Sequence, residues 1–120
     1  MIRIMKASAG SGKTFNLAKT YIRLLLSQED RRAYRHILAV TFTNKATEEM
    51  KSRILKELYI LSKDTESSPY ATELIPLAGT VEDLRKRASM ALCDILHDYG
   101  AFAISTIDRF FQQTLKAFSR

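Results

Sequence analysis

With 120 residues, 46% of them apolar and 27% charged, the chain has the size and balance of one globular domain with a modest core. A net charge of +6 and a pI of about 9.6 suit a polyanionic partner without demanding one, because the lysines and arginines are scattered. A single cysteine excludes a disulfide framework or cysteine-rich zinc site, and His36 and His97 are too few and too far apart for a metal centre. No apolar run approaches the roughly 20 residues that cross a bilayer, and the longest, residues 21–26, contains Arg23. Residues 1–5 are too short for the apolar stretch of a signal peptide, so the expected location is the cytoplasm, with no membrane partner.

In chain order, residues 2–7 read as a short first strand and residues 8–12 as a loop of small residues. Residues 13–27 carry Phe15, Ala18, Ile22 and Leu25 at helical spacing, with Leu17, Tyr21 and Leu24 widening the stripe. Residues 28–35 are charged and predict a surface connection. The continuous run Ile37, Leu38, Ala39, Val40 within residues 36–42 predicts a strand buried on both faces, as in a parallel sheet. After the polar pair Thr43-Asn44, residues 45–62 form a helical pattern with Ala46, Met50, Ile54, Leu58 and Leu61 inside. Residues 63–69 read as a loop, and residues 70–79 fit no element clearly. Thr80 and Asp83 form a capping box for a helix with the stripe Val81, Leu84, Ala88, Ala91, Ile95 and Tyr99, stopped by Gly100. Cys93 is expected on its buried side. Residues 101–105 are a strand candidate, and residues 106–119 a final amphipathic helix with Phe111, Leu115 and Phe118 in the core. Arg31, Arg32, Arg35, Arg85, Lys86 and Arg87 are expected on solvated faces. The alternation of strands and helices predicts an α/β fold with a mainly parallel sheet.

The strongest chemical signal is Ala7-Ser8-Ala9-Gly10-Ser11-Gly12-Lys13-Thr14 between the first strand and first helix. It matches the phosphate-binding P-loop pattern at Gly12, Lys13 and Thr14, with Ala7 in place of the first glycine. Small residues let successive N–H groups curl toward phosphate oxygens, and the helix that follows presents its positive end to the same anion. Lys13 is suited to reach the β- and γ-phosphates, and the Thr14 hydroxyl to ligate Mg²⁺. The cofactors expected are therefore ATP and Mg²⁺.

A second segment, Leu38-Ala39-Val40-Thr41-Phe42-Thr43-Asn44-Lys45-Ala46-Thr47-Glu48-Glu49-Met50, follows in the second strand and helix. Together with residues 7–14 it resembles the superfamily 1 DNA helicases of the UvrD/Rep/RecB group. Their first motif reads A-x-x-G-x-G-K-T, and their next motif is a strand ending in T-F-T-N-K-A-A-x-E-M. Thr47 stands here in place of the second alanine. A third stretch, Ile104-Ser105-Thr106-Ile107-Asp108-Arg109-Phe110-Phe111, looks like the family's T-x-H-x-F segment, with Asp108 at the histidine position. Ala7 to Phe15 followed by Leu17, Tyr21 and Leu24 to Leu26, and the long stretch between the second and third motifs, look most like the RecB/AddA recombination branch. Residues 1–6 hold no glutamine motif of the kind that contacts adenine in many UvrD-like relatives.

The resemblance implies a P-loop NTPase (RecA-like) parallel sheet with flanking helices, incomplete here: the N-terminal part of helicase domain 1A. It divides residues 1–120 into a P-loop at 7–14, a DNA-contact motif at 38–50, a helical insert at about 64–100 and a third motif at 104–111. It implies single-stranded DNA contacts at Phe42, Thr43, Asn44 and Lys45 and again at Thr106 and Phe110, and a helicase-nuclease partner subunit. Phe42 is suited to stack on a base, and Thr, Asn and Lys to bond phosphates. Read without the family, Phe42 and Phe110 are core aromatics, since isolated aromatics usually pack, and Asn44 is a helix cap. An acidic pair following a buried strand, needed to hold Mg²⁺ and position water, is not found: Glu29-Asp30, Glu48-Glu49 and Glu82-Asp83 follow charged or helical segments. The chain is therefore expected to be a fragment of a longer helicase that does not hydrolyse ATP efficiently alone. Two competing expectations are a non-catalytic binding module with a vestigial P-loop, and a small P-loop kinase.

Overall fold

In the computed structural model, the backbone of residues 3–7, 11–28 and 32–118 is described, with side chains for residues 15–28 and 32–116. Three strands, β1 (Arg3–Ala7), β2 (Ile37–Thr41) and β3 (Ile104–Thr106), form a parallel sheet in the order β1-β2-β3. Each step between neighbouring strands crosses over through helix: α1 (Ser11–Ser27) between β1 and β2, then α2 (Asn44–Lys63), α3 (Ala71–Ala78) and α4 (Val81–His97) between β2 and β3. A last helix, α5 (Ile107–Phe118), leaves β3 directly. This is the α/β class with a parallel sheet.

One core joins sheet and helices. Ile37, Ala39 and Ile104 meet Ala18, Ile22 and Leu25 of α1, and Met50, Ile54, Leu58 and Leu61 of α2. The apolar stripe of α2 is buried as its spacing predicts, and α4 packs along it through Leu84, Ala88 and Ile95. The α4 helix begins on the predicted cap, with Asp83 N donating to Thr80 Oγ1 at 3.1 Å.

Several sequence expectations are corrected. The unassigned residues 70–79 contain α3, which carries Pro76 and ends at Gly79 in a left-handed conformation (φ 102°) that favours glycine. Helix α4 ends at His97 rather than at Gly100, and Tyr99–Ala101 form a 3-10 turn. Cys93 is exposed, because nine residues at about 100° each place it on the side of α4 opposite Leu84. The supposed surface connection buries Ala33 and Tyr34, and the Tyr34 hydroxyl donates to Asp98 Oδ2 at 2.8 Å while the Arg35 guanidinium pairs with the same oxygen. Arg87 is solvated, as expected, yet it also donates to the Leu26 carbonyl at 2.8 Å. The Phe111 and Leu115 assignment to the core fails: they are 54% and 66% exposed, since α5 rests on β2 and β3 with Ile107, Phe110 and Thr114 half-buried. Phe118 and Arg31 lie outside the described side chains.

Candidate functional site

Parallel strands all point the same way, so the segments that leave their C-terminal ends emerge at one edge of the sheet. Here the register is aligned as well. Ala7 of β1 pairs with Thr41 of β2, and Thr41 pairs with Thr106 of β3. With strands about 4.8 Å apart, the three segments leave the sheet within about 10 Å of one another.

At the first of these exits, Ser8, Ala9 and Gly10 lie outside the described residues. Ser11, Gly12, Lys13 and Thr14 form the opening turn of α1, whose N–H groups have no helical acceptor ahead of them. The side chains of Lys13 and Thr14 are not among those described. The donor set of this turn (amide N–H groups, an ammonium and hydroxyls) fits a polyphosphate with its Mg²⁺. Among the described residues no group of His, Cys, Asp and Glu is placed to hold a metal by itself.

At the second exit, hydroxyls order the turn. Thr43 Oγ1 accepts from Ala46 N at 3.0 Å and is the N-cap of α2. The cap is therefore Thr43 and not Asn44, which leaves the Asn44 side chain on the surface. Buried Thr41 and Thr47 bond to each other through their hydroxyls, and both reach the Thr43 carbonyl at 3.2 Å. The Thr41 hydroxyl oxygen also lies 3.3 Å from the Ser105 carbonyl, which sets the turn against β3. Held this way, Phe42 stands 58% exposed, so it is not a core aromatic. Lys45 is exposed beside it.

The third exit repeats the device: Thr106 Oγ1 accepts from Arg109 N at 3.3 Å and opens α5. Between the second and third exits lies an open cleft of about 470 Å³ lined by Phe42, Thr43, Asn44, Thr106, Asp108, Arg109 and Gln112. Four of the six DNA-contact candidates thus share one cleft. Lys45 does not line it, and Phe110 is half-buried with its ring 6.0 Å from that of Phe111. Arg109 and Gln112 were missed in the sequence. Their only signal is position, three and six residues past Thr106 on the first turns of α5. Arg109 also borders a second cleft of about 350 Å³ along β3, where Lys51 sits 5.2 Å over the Tyr99 ring. Thr43 and Thr106 spend their oxygens on caps, but each hydroxyl keeps a proton to donate toward the cleft.

Comparison with known proteins decides the family. A sequence profile of the UvrD/REP helicase N-terminal domain matches residues 2–119. The chain belongs to the UvrD/Rep helicase family. It is 34% identical over 96% of its length to the RecBCD enzyme subunit RecB of Buchnera aphidicola from Acyrthosiphon pisum, and 32% identical over 94% to that of Escherichia coli. It is also 38% identical over 59% of its length to an ATP-dependent helicase/nuclease subunit of Clostridium beijerinckii. These are the branch that the sequence resembled. The chain spans about a tenth of the length of the RecB relatives it matches, 10% in both cases named. No solved structure matches it. Among the described residues no helix is long and apolar enough to cross a membrane.

Proposed function

We propose that this chain is the ATP-binding N-terminal segment of an ATP-dependent DNA helicase or translocase that acts on single-stranded DNA in recombination or repair. In this reading residues 1–120 are the N-terminal part of a P-loop NTPase domain with a helical insert at about 64–100, working in the cytoplasm beside a helicase-nuclease partner subunit. The alignment of Ala7, Thr41 and Thr106 across the sheet carries the reading, because it brings the nucleotide turn and the cleft to one edge.

Residues 7–14 would hold the phosphates with backbone N–H groups, Lys13 would neutralise the β- and γ-phosphates, and the Thr14 hydroxyl would hold Mg²⁺. When bound, ATP·Mg²⁺ supplies the phosphoryl-transfer chemistry that drives the motor. Phe42 offers a stacking face, Thr43, Asn44, Lys45 and Thr106 bond the DNA backbone, and Phe110 supports the wall. No acidic pair follows a strand in this sequence, so binding and not hydrolysis is assigned to these residues.

The test is calorimetry of ATP·Mg²⁺ binding to the chain beside Lys13→Ala, with and without a single-stranded oligonucleotide. Binding that vanishes in Lys13→Ala and tightens with DNA is expected, because linked sites must affect each other reciprocally. A folded wild-type chain that takes up no nucleotide refutes the reading.

A further inference from the structure

Two residues past Lys13 the chain passes through Phe15, and the helical insert grips it. The Tyr70 hydroxyl donates to the Phe15 carbonyl at 2.8 Å, across 55 residues of sequence. The two rings meet edge to face with centroids 4.9 Å apart, and the Arg53 guanidinium lies 5.8 Å over the Phe15 ring. One turn further on, Lys19 pairs with Glu73 at 2.9 Å. Tyr70 is fully buried, and its own position is fixed from behind: Tyr70 N donates to Ser68 Oγ at 3.2 Å, and Ser68 Oγ donates to the buried carboxylate of Glu57 on α2 at 3.2 Å. Burial, and the nearby Glu57 charge, push the Tyr70 phenol up to about 12, so its proton stays in place at neutral pH.

A carbonyl just past the first turn of a helix, as that of Phe15 is in α1, already accepts one bond from the helix itself. A second donor from a remote segment adds nothing to helix formation, but it does fix where that turn points. We propose that Tyr70 is a positioning residue for the phosphate-binding turn, acting through the Phe15 carbonyl and ring, so that the segment from Ser68 to Glu73 sets the orientation in which residues 11–14 meet the nucleotide. The inference rests on the assignment of nucleotide binding to residues 7–14 and adds the insert to it. Phosphate binding by backbone N–H groups depends on their direction to within a few tens of degrees. A turn held only by its own helix loses part of that alignment.

The experiment compares Mg²⁺·ATP affinity by calorimetry for the wild-type chain, Tyr70→Phe, Tyr34→Phe and Lys13→Ala, at a temperature where circular dichroism shows all of them folded. Tyr70→Phe keeps the ring and removes only the hydroxyl. Tyr34→Phe removes a hydroxyl that bonds the Asp98 carboxylate and no backbone group of α1, and it serves as the control for general destabilisation. Tyr70→Phe is expected to weaken binding about threefold to tenfold, the range for losing one neutral hydrogen bond. Tyr34→Phe is expected to leave binding unchanged. Faster hydrogen exchange at the first amides of α1 in Tyr70→Phe is the second readout, and it needs no ligand. Wild-type binding that Lys13→Ala abolishes and Tyr70→Phe leaves intact overturns the positioning role while the nucleotide reading stands. Equal weakening by both hydroxyl variants also overturns it. No binding by folded wild-type chain refutes the nucleotide reading and the positioning role with it.

Discussion

Phe42→Ala separates a DNA-stacking role from a packing role. The ring is 58% exposed, so its truncation removes little buried apolar area. A fully buried Phe→Ala change costs roughly 3–5 kcal/mol, whereas this one is expected to cost about 1 kcal/mol or less. Stacking of one base on an aromatic face contributes about 1–3 kcal/mol, which corresponds to roughly a fivefold to 150-fold loss of affinity. The assay is fluorescence anisotropy with a labelled oligothymidine at several salt concentrations, beside thermal melting. Phe42→Ala is expected to bind much more weakly at every salt concentration with an unchanged salt slope, because stacking releases no counterions. Phe42→Tyr is expected to keep most of the affinity. Phe111→Ala is the control, since that ring is similarly exposed but does not line the cleft. Wild-type affinity in Phe42→Ala, or an equal loss in Phe111→Ala, refutes the assignment. A fall in melting temperature well beyond that small stability cost shows that Phe42 packs instead.

Three further outcomes rest on particular contacts. Thr43→Ala removes the N-cap of α2 and is expected to cost about 1 kcal/mol, lowering the melting temperature by roughly 3–5 °C, while Thr43→Ser restores it. The Tyr21 hydroxyl is buried with no hydrogen-bond partner among the described residues, and burial pushes its pKa up. Tyr21→Phe is therefore expected to stabilise the chain by about 1 kcal/mol, and a lower melting temperature instead of a higher one refutes this. The Tyr34 hydroxyl, followed by the Arg35 guanidinium, holds the Asp98 carboxyl below the usual carboxylate range. A depressed acid stabilises the fold above its unfolded pKa and loses that contribution as pH falls through the folded one. Melting curves between pH 6 and pH 2 are expected to show this loss below about pH 4 in wild type and not in Asp98→Asn.

Legibility in the sequence followed periodicity. Helix α2 has one apolar stripe from Ala46 to Leu61, long enough to be read without ambiguity, and β2 is a continuous apolar run. Helix α3 was hidden because eight residues make barely two turns and Pro76 sits inside them. The burial of Tyr34 was hidden because its partner, Asp98, lies 64 residues away in a different element. Cys93 is misplaced by the assumption that an apolar residue on an amphipathic helix faces inward, although its angle from Leu84 puts it outside. In α5 the pattern shows the amphipathic character but not which elements the helix meets. Its main contacts among the described residues are with β2 and β3, made on the side of the helix where Ile107, Phe110 and Thr114 are half-buried.

The site was legible as motifs but not as an arrangement. Local spacing identifies residues 7–14, 38–50 and 104–111 one at a time. What brings them to one edge of the sheet is the register of three strands far apart in the sequence, and no local pattern encodes that. Thr47 shows the difference. By alignment with the motif it stands in for an alanine, yet in the fold its hydroxyl joins Thr41, and that pair locks the turn carrying Phe42 to the strand and, through the Ser105 carbonyl, to β3. The buried hydroxyls cost desolvation that a pair of alanines would avoid. In return they hold an aromatic side chain out in solvent at a strand exit, where burial alone would draw it inward. A turn built that way is tied to the sheet at one end and open to the cleft at the other, the arrangement that the proposed contact with a single strand calls for.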